Sequence, residues 1–182
     1  MKQLPELHLG TINLPPDTIT KCINILAKRG AGKSYLAGVL EEELAKNDYP
    51  FVIIDPMGAH WGLRELYPIP IFGGDHGDVD IEVQDGPRLA NLIVDLKKSI
   101  LIDVSHWDQD TQREFVTEFV YELYQKNRKP LHVIIAHLQL LPRLHLIDAI
   151  LTQPHVPVLE GEAHSFAAPF LLEDKGFCSG HN

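Results

Sequence analysis

Four short apolar runs punctuate the chain, at residues 22–26, 51–55, 100–104 and 131–135. Continuous apolar stretches of this length, closed by turn residues such as Pro56, read as strands buried on both faces. Between them the apolar positions change period. Tyr35, Leu36, Val39, Leu40 and Leu44 recur at helical spacing, and so do Leu89, Leu92, Ile93 and Leu96. Pro87 is placed for the first turn of that second helix, which the pattern predicts over about 87–97. Phe115, Val116, Phe119, Val120, Leu123 and Tyr124 define a third helical stripe, which reads as core. Strands alternating with helices predict an α/β domain with a parallel sheet and right-handed crossovers. Residues 69–72 and 79–83 predict a short hairpin or an edge pair joined by a polar Asp/Gly loop. Glu41, Glu42 and Glu43 read as the solvated face of the first helix.

The regularity stops at residue 135. Pro142, Pro154, Pro157 and Pro169 interrupt the C-terminal stretch, leaving a weak helical pattern over 144–151. The chain therefore divides into a core at 1–135 and an atypical tail at 136–182, for which poor order is one expectation. Basic residues also thin out, with Arg143 and Lys175 alone beyond residue 135. With 182 residues, 45% of them hydrophobic, the chain has the size of one domain with a sizeable core.

A formal charge of −9 gives no global attraction to nucleic acid, so DNA contact would need a local basic patch or an oligomeric channel. Cys22 and Cys178 are too few for a disulfide framework or a zinc site, which makes the reduced cytoplasm the expected compartment. No stretch has the length of a signal-peptide core or a membrane span, so export and membrane insertion are not expected. His137, His145, His155 and His164 lack the paired spacing of metal ligands. Asp75, Asp78, Asp80 and Glu82 lack the pattern of a calcium loop and read as turn acids.

The chemistry gathers after the first strand, in the segment Ala27, Lys28, Arg29, Gly30, Ala31, Gly32, Lys33, Ser34. A strand, a glycine loop and a helix N-terminus in this order bring backbone N–H groups close to a polyphosphate. Lys33 is placed to reach the β and γ phosphates, and the Ser34 hydroxyl to ligate Mg²⁺. The first position of the phosphate-loop pattern is Ala27 in place of Gly, which is acceptable where φ stays negative. The candidate nucleotide-binding set is Arg29, Gly30, Ala31, Gly32, Lys33, Ser34 and Tyr35. Asp55 ends the second strand, at the edge where open α/β sheets bind ligands; the other reading makes it a turn acid before Pro56.

Residues 25–35, the segment from Phe51 to Gly58, residues 69–74 and residues 99–107 together resemble the central ATPase domain of the HerA family of P-loop helicases. The resemblance covers roughly residues 20–135. It rests on the phosphate loop, a strand ending in Asp55-Pro56-Met57-Gly58, the Gly73-Gly74 segment, and Ile102-Asp103-Val104-Ser105. It implies a RecA-like P-loop NTPase fold, a three-layer sandwich incomplete at its C-terminal end. ATP and Mg²⁺ are the implied cofactors, and the implied assembly is a ring-shaped homo-oligomer translocating DNA beside a nuclease.

The resemblance matches Gly30, Gly32, Lys33 and Ser34 residue by residue, and Asp55 and Asp103 as strand-end acids. It breaks at the Walker B strand, where the family has Asp-Glu and this chain has Ala136-His137. Those acids hold the metal and orient the attacking water, so hydrolysis is expected to be weak or absent. Asp103, the catalytic and metal candidate beside Lys33, could partly replace them as metal ligand if its strand lies beside the phosphate loop, but the resemblance implies that it lies one strand further away. A shortened family member with an unrelated tail, through an altered reading frame, would account for the break. The rival readings are a non-catalytic nucleotide-binding or assembly module working with a partner ATPase, and a small P-loop kinase, which lacks a basic lid segment here.

Overall fold

The computed structural model describes residues 6–15, 23–27, 31–96, 98–129, 131–136 and 170–175. Six strands form one sheet in which every pairing is parallel. They are β3 (Ile23–Ala27), β4 (Phe51–Asp55), β5 (Ile71–Phe72), β6 (Ile100–Asp103), β7 (His132–Ile135) and β8 (Phe170–Lys175), ordered β3-β8-β7-β4-β6-β5. Two more strands, β1 (Leu7–Leu9) and β2 (Ile12–Leu14), make a separate antiparallel hairpin.

Side-chain alternation along the strands divides the core in two. Val52 and Ile54 of β4, Ile100 and Ile102 of β6, and Val133 and Ile135 of β7 pack under α2 (Gly86–Leu96) and α3 (Gln109–Lys126). Phe51, Ile53, Leu101 and Ile134 project the other way, against α1 (Lys33–Lys46) and the hairpin. The result is a helical layer on each face of the sheet. Phe51, Val52, Ile53 and Ile54 are all fully buried, which is why β4 shows no polar alternation. Each such side chain contributes about 1.5–3 kcal/mol of burial.

The helices start where local chemistry stops the strand-to-helix connections. Asp108 accepts the N–H groups of Asp110 and Thr111, at 2.9 and 3.0 Å, and so opens α3. Those bonds, the Thr111 N–H first, hold the Asp108 carboxyl below its usual value. Glu82 and Asp85 form a capping box around the short turn that leads into α2, whose second residue is Pro87.

Three expectations need correction. Of the two forms expected for the 69–72 and 79–83 segments the hairpin is not the one found: β5 is a parallel edge strand beside β6, and the second segment meets it through a single parallel bridge, Val79 to Phe72. The Glu82–Asp85 capping box ends that second segment by starting a helical turn at Val83. Glu41 and Glu43 are not solvated, at 2% and 9% exposure, whereas Glu42 is exposed. Glu43 is covered because the hairpin docks on α1 and the His8 N–H donates to its Oε2 at 3.0 Å. Finally, the regular sheet does not end at Ile135. β8 lies within the tail and stands between β3 and β7, pairing with both. The weak helical pattern over 144–151 lies outside the described residues.

Candidate functional site

β3 leads into the segment expected to form the phosphate loop, of which Lys28, Arg29 and Gly30 lie outside the described residues. From Ala31 onward the geometry is defined. Gly32 precedes α1 with φ 92° and ψ 20°, a left-handed conformation, and its carbonyl accepts the Leu36 N–H at 2.9 Å. A Cβ there would meet nothing within 4 Å, so the glycine is required by its backbone angle and not by crowding. No side chain caps the helix start and no acid sits in its first turn. The N–H groups that an α-helix leaves unused at this end, with about half a positive charge from the aligned peptides, make it receptive to an anion.

Lys33 is the first residue of α1 and is 8% exposed, while Ser34 is exposed. The structure thus brings Lys33 and Ser34 together at the mouth of the helix. Tyr35, expected in the apolar stripe as well as in the binding set, is 80% exposed. The face that α1 buries runs through Lys33, Ala37, Leu40, Glu41 and Leu44 instead.

Asp55 and Asp103 are register partners at the ends of β4 and β6, both buried. Each organises its own following loop. Asp55 accepts the Met57 N–H at 2.9 Å and the His60 N–H at 2.7 Å. Asp103 accepts the Ser105 N–H at 2.9 Å. Gly74, at φ +68°, presses against the Asp103 carboxyl so closely that a Cβ on Gly74 would fall inside contact distance of Oδ2 and Cγ. The sheet order sets β6 four strands from β3, about 19 Å at the usual 4.8 Å spacing. Asp103 therefore ends a strand four positions from the one that leads toward Lys33 and Ser34. β7 is two strands from β3 and continues into Ala136, which is buried and carries no acid.

Several polar groups around these strand ends leave no mark in the apolar pattern. Gln112 of α3 donates to the carbonyls of Val104 at 2.9 Å, Trp107 at 3.1 Å and Pro56 at 3.4 Å, tying together the loops after β4 and β6. Glu41 of α1 meets His60 Nδ1 through Oε2 at 2.9 Å, with both side chains nearly buried. The helical spacing of Glu41 from Lys33 and Ala37, four residues at a time, was the available signal. β8 aligns Asp174 with Leu26 and Lys175 with Ala27, so an acid lies in the strand next to β3.

Around the rim, Trp61 stacks on His76 with centroids 4.1 Å apart, and Arg64 bonds both the His76 carbonyl and Asp78 at 3.0 Å. Asp78 also takes the Ile71 N–H at 2.9 Å, which gives it the turn role expected for these acids. Among the described residues no helix is long and apolar enough to cross a membrane.

Compared with known protein families, residues 11–149 match the one described as helicase HerA, central domain. No curated protein and no solved structure matches the chain.

Proposed function

This chain belongs to the family of the helicase HerA central domain, and from that premise we propose that it binds ATP with Mg²⁺ at the N-terminus of α1. The observation that carries the reading is the sequence of conformations there: a strand, a left-handed Gly32, then Lys33 and Ser34 opening an uncapped helix. Lys33 neutralises the β and γ phosphates, and the N–H groups of the first turn receive phosphate oxygens. A hydroxyl at Ser34 fits Mg²⁺, a hard ion that keeps phosphate oxygens and water as its other ligands. When bound, Mg²⁺ supplies charge neutralisation for the polyphosphate. Arg29, Gly30 and Ala31 complete the anion cradle, with Tyr35 beside it.

Hydrolysis by the chain alone is weak or absent in this reading. What supports it is the Ala136 that follows β7, together with the engagement of Asp103 by Ser105 and Gly74 at a remove of four strands. Asp103 then shapes the strand-end loops and does not ligate the metal. A RecA-like ring of identical chains acting on DNA beside a nuclease is the larger setting we propose from the family. The same missing acid favours a second reading, a nucleotide-binding module that draws catalytic groups from a partner ATPase.

The test measures binding of a fluorescent ATP analogue and phosphate release side by side, in wild type, Lys33→Ala and Asp103→Ala, with and without DNA. Wild type is expected to bind in the presence of Mg²⁺, and Lys33→Ala to weaken binding about tenfold or more, the scale of a lost charge-assisted bond. Failure of wild type to bind overturns the proposal. Brisk turnover that Asp103→Ala abolishes overturns the account of hydrolysis. DNA stimulation of turnover separates a translocase from a kinase.

A further inference from the structure

The Glu41–His60 pair sits in the middle of the face that α1 buries against the sheet, among Ala37, Leu40 and Leu44. It is poorly arranged for stability. Both side chains are nearly buried, and Glu41 Oε1 is a buried oxygen without a hydrogen-bond partner among the described residues. Burying two ionisable groups costs desolvation that their attraction often fails to recover, and an unsatisfied buried oxygen adds to the deficit. Well-packed apolar residues would hold α1 to the sheet at least as firmly.

What a polar pair supplies and apolar packing does not is a fixed register. The apolar contacts of Ala37, Leu40 and Leu44 are non-directional, whereas the 2.9 Å hydrogen bond between Glu41 and His60 holds one fixed position along the helix. The mount of His60 is itself fixed, because its N–H donates to Asp55 at the end of β4. Lys33 and Glu41 share one face of α1, eight residues and about 12 Å apart along the axis. A straight helix carries any axial shift at Glu41 directly to Lys33 and Ser34.

We infer that Glu41 and His60 are positioning residues for nucleotide binding: they lock α1 to the Asp55 end of β4 and so set where Lys33 and Ser34 stand against the phosphates. The inference rests on the nucleotide-binding reading above and adds to it the element that holds the site in register. The pair does not touch the nucleotide.

The experiment compares the dissociation constant of a fluorescent ATP analogue with Mg²⁺ and the thermal midpoint, in wild type, Glu41→Gln, and the double variant Glu41→Leu with His60→Leu. The double variant replaces the pair by apolar groups and is expected to melt at or above the wild-type temperature. Its nucleotide affinity is nevertheless expected to fall about tenfold, within the range of changes that act through an intervening element. Glu41→Gln keeps the shape and is expected to weaken binding as well, with a smaller effect. A purely structural role predicts that affinity follows stability. Affinity within about twofold of wild type in both variants overturns the inference while leaving nucleotide binding intact. Should the double variant not fold, Glu41→Gln at wild-type affinity overturns it alone. If wild type itself does not bind, or Lys33→Ala binds equally well, the nucleotide-binding reading fails and takes the positioning role with it.

Discussion

Replacing Gly74 by alanine would test whether the strand-end loops are as tightly fitted as they stand. Two penalties act together. Gly74 has φ +68°, and an L-residue held in that region costs about 1–2 kcal/mol. The added Cβ would also collide with the Asp103 carboxyl and lie 2.8 Å from Asp103 Cβ. Relieving such a contact moves a buried carboxylate away from the Ser105 N–H, a disturbance of the overpacking kind worth about 1–3 kcal/mol.

The sum predicts a loss of about 2–5 kcal/mol, or about 4–20 °C in melting temperature for a domain of this size. Gly32→Ala is the internal control. Its φ of +92° brings the conformational penalty, but its Cβ would meet nothing within 4 Å, so about 1–2 kcal/mol is expected. Urea and thermal unfolding followed by tryptophan fluorescence and circular dichroism would measure both. In an Asp103→Ala background the carboxyl part of the collision is gone, and the cost of Gly74→Ala should shrink by about 1 kcal/mol or more. A collision with Asp103 is refuted if Gly74→Ala costs no more than Gly32→Ala, or if its cost is the same with and without the Asp103 carboxyl.

Other residues make separate predictions. Burial by itself would raise the Glu43 carboxyl, but the His8 N–H and the Lys46 ammonium outweigh it and hold it below the ordinary 4.5. A carboxyl lowered on folding contributes stability above its unfolded value and loses it as pH falls through the folded one. The hairpin should therefore loosen from α1 below about pH 4.5, seen as faster amide exchange in β1; Glu43→Gln should remove that pH dependence, and an unchanged profile would count against the pairing. Gln112→Leu takes the shared donor from the Val104, Trp107 and Pro56 carbonyls and should cost about 1–3 kcal/mol. A change under about 0.5 kcal/mol in urea unfolding would show that those carbonyls find other donors.

The pattern of apolar runs located β4, β6 and β7 nearly to the residue because strands buried on both faces leave no polar alternation to mislead. The helices followed instead from the recurrence of apolar positions at helical spacing, although Tyr35, Leu92 and Leu96 of those stripes are exposed, and the glycine ahead of α1 was readable because its left-handed backbone is a local demand. Glu41 and Glu43 were not. A run of three acids looks solvated until the hairpin and His60 are known to cover two of them, and those partners come from elsewhere in the chain. Asp55 and Asp103 could be placed at strand ends, and the resemblance already implied that the strand of Asp103 is not next to the phosphate-loop strand, but the full separation from β3 depends on a strand order that includes β8. β8 was missed because six residues among prolines and histidines give no sign of which neighbours they will find.

The place of β8 has a bearing on how the molecule is made. Among the described residues β8 is the one strand that pairs with β3, with Ile23 opposite Leu171. β3 must wait until residue 175 has been made before its neighbour exists. Meanwhile β4, β5, β6 and β7 can associate across much shorter loops. β3 is thus the last of these strands to gain its neighbour, and the distant closure it needs is of the slow kind. A nascent or clipped chain ending before Phe170 would keep most of its sheet yet lack the strand that seats β3. If β3 leads into a nucleotide site as proposed, binding there would then report that β8 has been made and seated.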